Sequence, residues 1–302
     1  MVLLWILKVL PVLPITKSTD RSFAELRTAD QRWPQHWGQR TCLMGVINIT
    51  PDSFSDGGDC IEPESALSRA NLQLSQGADV IDLGAQSTRP GAEEVGAKEE
   101  LRRLLPALEA IRSAHPKALI SVDTFLAPVA EAALHAGANW INDVSGGQRD
   151  SQLLKVVAEA GCSYVLMHSR GNSHSMDKLA SYQDVLVDVR NGLLRRTEQA
   201  LQAGVRADQL VWDPGLGFAK NTEQNLALLR GLEQLSSEGI PLLVGPSRKR
   251  FIGAVLDQPD PQERIWGTAA VVCRCVQAKV AMVRVHDVGP IAQILRMAAA
   301  IW

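Results

Sequence analysis

A (β/α)8 barrel is the fold class that the sequence predicts, and three features predict it. From Thr41 onward, short apolar, β-branched runs alternate with longer stretches of helical spacing rich in Ala, Leu, Gln and Glu. The pattern repeats eight times, and eight such units fill about the 250 residues usual for this barrel. Nearly every apolar run ends in ionisable or hydrogen-bonding side chains, as expected where chemistry is assembled at the C-terminal ends of barrel strands.

The expected strands are residues 43–47, 80–83, 119–122, 140–141, 164–167, 210–212, 241–244 and 282–285. They are continuously apolar, the mark of strands covered on both faces by helices. Helical spacing marks 63–76, 99–114, 128–136, 151–160, 184–203 and 225–235. No composition break or low-complexity tract divides the chain, so residues 41–302 read as one α/β domain, a (β/α)8 TIM barrel. Residues 1–40 read as an irregular N-terminal extension, with Trp33-Pro34 and Trp37-Gly38 as breakers.

Composition narrows the function classes. The chain has 302 residues, 46% hydrophobic and 21% charged, with a formal net charge of −2. Its Lys and Arg residues are dispersed, which argues against a nucleic-acid partner. Met1 to Pro14 is apolar but lacks a basic start, is interrupted by Lys8 and Pro11, and is too short to span a bilayer. No membrane association is therefore expected. Five cysteines without a C-x-x-C pair read as buried free thiols of a reducing cytoplasm.

The strand exits carry the candidate chemistry. They are Asn48, the stretch from Asp82 to Arg89, Asp123, Asn142-Asp143, His168, Asp213, Ser247-Arg248-Lys249, and Arg284 with His286. Any one Asp or Asn here could simply cap the following helix. Recurrent Arg, His and Lys beside glycine-rich turns are not explained that way. Arg284 and His286 lie two apart on the last strand, so they leave by the same face, a good arrangement for an anionic group. Lys249, between Arg248 and Arg250, keeps open a Schiff-base lysine of a phosphate-binding aldolase barrel. Gly215-Leu-Gly217 is not a dinucleotide fingerprint, because Lys220 stands where its third glycine belongs. His168 reads as supporting rather than catalytic, and His36, His115, His135 and His174 as surface or packing residues.

Several of these stretches resemble the signatures of dihydropteroate synthases. Asn48-Ile-Thr-Pro-Asp-Ser-Phe-Ser-Asp-Gly-Gly58 resembles the first and Ser87-Thr-Arg-Pro-Gly91 the second. In the family's order follow Ser121-Val-Asp-Thr124, Ile141-Asn-Asp-Val144, Leu166-Met-His168, Asp213-Pro-Gly-Leu-Gly-Phe218, Val244-Gly-Pro-Ser-Arg-Lys249 and Arg284-Val-His-Asp287. The resemblance runs from about Thr41 to the C-terminus, and the combination is far more specific than any single motif.

The resemblance implies the barrel, and condensation of 6-hydroxymethyl-7,8-dihydropterin pyrophosphate with p-aminobenzoate to 7,8-dihydropteroate and pyrophosphate. It also implies Mg2+ and a homodimer. It assigns the pterin pocket to Asp123, Asn142, Asp213 and Lys249, with Met167 and Phe218 packing on the ring. Asn48, Arg284 and His286 take the pyrophosphate, and Asn48 is the metal ligand. Phe54, Thr88, Arg89 and Pro90, with Ser247, take p-aminobenzoate. The chemistry agrees: a pterin edge presents two N–H donors that a buried carboxylate accepts, and its carbonyl and imine acceptors need donors such as Asn142 and Lys249.

Four positions depart from the family pattern. Gln86 stands where a glutamate is usual, Ala85 and Ala219 replace glycines, and Lys279 stands where small residues prevail. Gln86 keeps a non-catalytic or weakly active pterin-binding paralogue in view. A methyltetrahydrofolate methyltransferase-type barrel is a further alternative, but it would have no need of Ser247-Arg-Lys249 or the first loop.

Overall fold

Eight short parallel strands set the architecture. The computed structural model describes residues 32–50, 63–87 and 91–302. Its strands are β1 (Cys42–Asn48), β2 (Val80–Gly84), β3 (Leu119–Asp123), β4 (Trp140–Asp143), β5 (Ser163–Met167), β6 (Leu210–Asp213), β7 (Leu243–Val244) and β8 (Met282–Val285). They pair in parallel in the order β6-β5-β4-β3-β2-β1-β8-β7. The two ends of that row meet through a parallel bridge between Trp212 and Leu242, and the Trp212 N–H donates to the Pro241 carbonyl at 2.9 Å. The result is the nearly closed barrel that the alternating pattern predicts.

Each expected strand is present, and the seventh contracts at this seam. Pro241 has no N–H to give to a ladder, so only Leu243–Val244 pairs regularly with β8. The expected helix 225–235 is divided into Thr222–Arg230 and Leu232–Ser236. It breaks at Gly231, where a Cβ would stand 2.4 Å from Leu186 Cδ2. The helix that carries Leu186, Val185–Gln202, packs too closely for a side chain there. Asp184 caps that helix by accepting the Leu186 and Val187 N–H groups at 2.9 and 3.1 Å.

Inside the barrel, alternate residues of each strand point to the axis. The lower layer is apolar: Cys42, Met44, Val80, Leu119, Trp140, Val165, Val211, Leu243 and Met282 form one cluster. Trp33 and Trp37 close it from below. Their rings stack at 4.6 Å and meet Trp140 edge-on at 5.0 and 5.7 Å. The Trp140 indole N–H donates to the Arg32 carbonyl at 2.8 Å. Residues 32–40 of the expected extension therefore form the floor of the barrel. Residues 1–31 lie outside the described ones.

Two of the family departures fall on left-handed backbone. Ala219 has φ 50° and Lys279 φ 56°, a conformation costing an L-residue about 1 kcal/mol or more. Lys279 follows the helix Ile265–Gln277, whose end closes with Lys279 N–H to the Val276 carbonyl and Val280 N–H to the Cys275 carbonyl, both at 3.0 Å. That pair of hydrogen bonds is the helix ending in which glycine is usual, and here a lysine takes it.

Candidate active site

Above the apolar floor the interior face turns polar, two residues further along each strand. Val80 is followed by Asp82, Leu119 by Ser121 and Asp123, Trp140 by Asn142, Val165 by Met167, Val211 by Asp213, and Met282 by Arg284 and His286. A period of two thus brings residues from six strands to one mouth, polar in all but Met167. Asp143 points to the other face. It accepts the Ser145 and Gly147 N–H groups at 2.7 and 2.6 Å and the Tyr164 hydroxyl at 2.7 Å, and so closes a turn.

Arg284 holds the centre. Its Nε donates to Asp82 Oδ2 at 2.6 Å and its Nη2 to Asp123 Oδ2 at 2.8 Å. Nη1 has no hydrogen bond among the described residues. The Asn142 amide also donates to Asp82 Oδ2, at 3.3 Å. Asp82 Oδ1 and Asp123 Oδ1 are buried without a hydrogen-bond partner among the described residues. Burial raises the Asp123 pKa, with Asp82 and Glu100 adding to the rise and Arg284 opposing it. Two carboxylates against one guanidinium leave an excess of acceptors, which suits a ligand edge made of N–H donors. Asp287 pairs with Arg248 instead, at 2.6 and 3.0 Å.

Asp213 and Lys249 stand nearby. Asp213 Oδ1 accepts the Gly215 N–H at 2.7 Å. Burial raises its pKa, while that N–H, Lys249, Arg284 and Lys220 pull it down. Lys249 Nζ lies 4.5 Å from the centre of the Phe218 ring. Burial lowers its pKa to about 8, against the upward pull of Asp213. Met167 is 2% exposed, and its Cγ would lie 3.3 Å from a Cβ placed on Gly215.

Ser247 and His286 form a pair. The Ser247 Oγ accepts the His286 backbone N–H at 3.1 Å and lies 3.0 Å from Nδ1 of its ring. Burial, with the cations Arg284 and Arg248, lowers the His286 pKa to about 3, so the ring is neutral at pH 7. Asn48, half-buried at the end of β1, has its Oδ1 3.6 Å from where a Cβ on Gly84 would stand; Asp123 Cβ lies 3.7 Å from the same point. Asn48 is thus beside the acid cluster.

Of the residues expected from the sequence, Asn48, Asp123, Asn142, Met167, Asp213, Phe218, Ser247, Lys249, Arg284 and His286 gather at this mouth. Phe54, Thr88, Arg89 and Pro90 lie outside the described residues. The flank of the second loop is tied down: Gly91 N–H donates to the Ser173 carbonyl at 3.0 Å, Ser173 Oγ to the Ala92 carbonyl at 2.7 Å, and Arg149 Nη2 to Glu94 at 2.5 and 2.6 Å. Gln86 Oε1 accepts the Val95 N–H at 3.2 Å. A glutamate could accept that bond equally well, so the departure at Gln86 preserves this contact.

Asp82 is the residue whose role sequence reasoning missed. The signal for it in the sequence is a lone acid inside an apolar strand.

Comparison with known proteins places the chain in a family. Residues 44–286 match the family model described as "Pterin binding enzyme". A dihydropteroate synthase of Synechocystis sp. is 48% identical over 266 residues, covering 88% of this chain and 92% of that protein. The structure of a Xanthomonas albilineans dihydropteroate synthase in complex with 7,8-dihydropteroate superposes with a TM-score of 0.78 at 37% identity, covering 87% of this chain and 94% of that one. A Thermus thermophilus dihydropteroate synthase in complex with 4-aminobenzoate gives a TM-score of 0.77 at 42% identity, covering 87% and 95%.

Proposed function

This chain belongs to the pterin-binding enzyme family, among its dihydropteroate synthases, and from that premise we propose how its mouth performs the family's reaction. The enzyme is a transferase of folate biosynthesis. It joins 6-hydroxymethyl-7,8-dihydropterin pyrophosphate to p-aminobenzoate, giving 7,8-dihydropteroate and pyrophosphate.

The observation that carries our assignment is the excess of buried acceptors, with Asp82 Oδ1 and Asp123 Oδ1 unpaired among the described residues. Asp213 and Asp123 accept the N–H groups of the pterin edge, and Asn142 and Lys249 donate to its carbonyl and imine. Met167 and Phe218 enclose the ring. The diphosphate lies toward Arg284, through its Nη1, and toward His286. With the Ser247 hydroxyl donating to Nδ1, the neutral imidazole carries its proton on Nε2 and donates it to a phosphate oxygen. These donors stabilise the charge that develops on the departing oxygen. The aniline nitrogen of p-aminobenzoate is unprotonated at neutral pH and needs no strong base, so no residue is assigned that role. Phe54, Thr88, Arg89, Pro90 and Ser247 remain our assignment for p-aminobenzoate.

Among the described residues, no group of three His, Cys, Asp or Glu side chains is placed to hold a metal. A single Asn48 oxygen binds Mg2+ weakly, so the residues fit an ion carried in by the diphosphate. Asn48 would supply one ligand, and the ion would neutralise leaving-group charge.

We also assign a homodimer. Val255, Leu256 and the 77% exposed Trp266 are exposed large apolar side chains on the helices Arg250–Leu256 and Ile265–Gln277, and exposed tryptophan is enriched at contact surfaces. Light scattering is expected to give twice the chain mass, and a mass of one chain would contradict the assignment. Among the described residues, Cys42, Cys273 and Cys275 form no disulfide, which supports a cytoplasmic location. No helix among the described residues is long and apolar enough to cross a membrane.

Release of pyrophosphate tests the reaction. It is expected only when dihydropterin pyrophosphate, Mg2+ and p-aminobenzoate are all present; pterin binding without turnover would contradict it. The pH profile tests Lys249. Its pKa is lowered to about 8, so the ammonium donor is present below that pH and lost above it. kcat/KM for the pterin substrate should therefore fall above about pH 8. An alkaline limb that is unchanged in Lys249→Gln would show that Lys249 does not produce it.

A further inference from the structure

Lys220 is a buried cation that the reaction described above does not use. It ends the loop that leaves β6, Asp213-Pro-Gly-Leu-Gly-Phe-Ala-Lys220, and is 6% exposed. Its Nζ donates to the Phe218 carbonyl at 2.9 Å and to the Gly215 carbonyl at 3.0 Å. It lies 3.2 Å from His168 Nδ1 and 3.5 Å from the His168 carbonyl. Gly215, at φ +69°, presses on the same strand end: a Cβ there would stand 2.0 Å from the His168 carbonyl oxygen. The ammonium therefore sits in the seam between its own loop and the end of β5.

The acceptors around it are matched to a charged donor. His168 is held neutral, its pKa lowered to about 2 by burial and by Lys220, and so offers a lone pair at Nδ1. Burial also lowers the Lys220 pKa, to about 7, against the upward pull of Asp213. Three carbonyls and an imidazole nitrogen can use all three hydrogens of an ammonium, and hydrogen bonding to the charged form favours it. The loop so held carries both Gly215, whose N–H binds Asp213, and Phe218, whose ring faces Lys249.

We propose that Lys220 is a positioning residue for pterin recognition: its Nζ, hydrogen-bonded beneath the loop, fixes the Gly215 N–H against Asp213 and the Phe218 ring against Lys249. The proposal rests on the reading of Asp213 as the acceptor of the pterin edge. The charged groups facing Asp213 are Lys249 after β7, Arg284 on β8 and Lys220 on its own loop. Those facing Lys220 are Asp213, Arg196 from the helix Val185–Gln202, Arg170 after β5, and Lys249. Removing the Lys220 charge leaves the burial of Asp213 in place and takes away one opposing cation. Its carboxyl then takes up a proton at a higher pH, and an acceptor is lost.

Initial rates against dihydropterin pyrophosphate, at saturating p-aminobenzoate and between about pH 5 and 9, test this in Lys220→Met, Lys220→Gln and Asp213→Asn. Lys220→Met is expected to raise the pterin KM by about tenfold or more, with the p-aminobenzoate KM within about twofold of wild type. In both Lys220 variants the acid limb of kcat/KM should move to higher pH. Glutamine keeps two N–H donors without the charge, so it carries the test if the methionine variant fails to fold. An unchanged pterin KM and an unmoved acid limb in Lys220→Gln would overturn the inference. If Asp213→Asn raises the pterin KM in the same series, only the role of Lys220 falls; if Asp213→Asn has no effect either, the pterin reading of the pocket falls with it.

Discussion

Arg284→Ala is expected to lose about 3–5 kcal/mol of folding stability together with most of its activity. Asp82 is fully buried and Asp123 nearly so, and both rest on the one guanidinium. Removing one member of a buried ion-pair network leaves charge uncompensated, and losses of about that size follow. kcat should fall about 100- to 1000-fold, because the donor proposed for the departing diphosphate is gone as well. Urea unfolding measures the first effect and steady-state rates the second. Adding Asp82→Asn should restore much of the stability and little of the rate, since it removes a stranded carboxylate without supplying a donor. An alanine variant as stable as wild type would contradict the central position given to Arg284.

Asp213→Asn is expected to raise the KM for dihydropterin pyrophosphate about 10- to 100-fold, the loss of charge-assisted hydrogen bonds to a buried acceptor. The backbone should tolerate it, because the Asn oxygen can still accept the Gly215 N–H that Asp213 Oδ1 binds at 2.7 Å. The amide nitrogen would then face the donors of the pterin edge. Saturating substrate should recover most of kcat, whereas Arg284→Ala should not be rescued by saturation. Equal effects on KM in both variants would show that binding and leaving-group stabilisation are not divided between these residues.

Much of this site could be read before any coordinates. Asp123, Asn142, Asp213, Arg284 and His286 end apolar runs, and a period of two fixes which face each one takes. What could not be read was pairing across the barrel. Arg284 and Asp82 are 202 residues apart, and no local pattern tells that the two meet. Asp82 itself is followed by Leu83 and Gly84, so it looks like an exception inside a strand and not like a strand end. Lys220 was noted only as the residue that spoils a glycine pattern, because the cage of carbonyls around it exists only once the loop is closed. The seam at β6 and β7 was hidden for a similar reason: Pro241 looks like the start of a strand, yet contributes only its carbonyl. The floor of tryptophans was missed because Trp33 and Trp37 sit in a polar lead-in whose partner, Trp140, is a hundred residues away.

The most direct measurement is a crystal structure of this enzyme with dihydropterin pyrophosphate bound. The ring is predicted to lie between Met167 and Phe218 with its N–H edge on Asp213 and Asp123, and the diphosphate to reach Arg284 Nη1 and His286 Nε2. A pterin bound with that edge away from both carboxylates, or a diphosphate held without Arg284, would contradict the account.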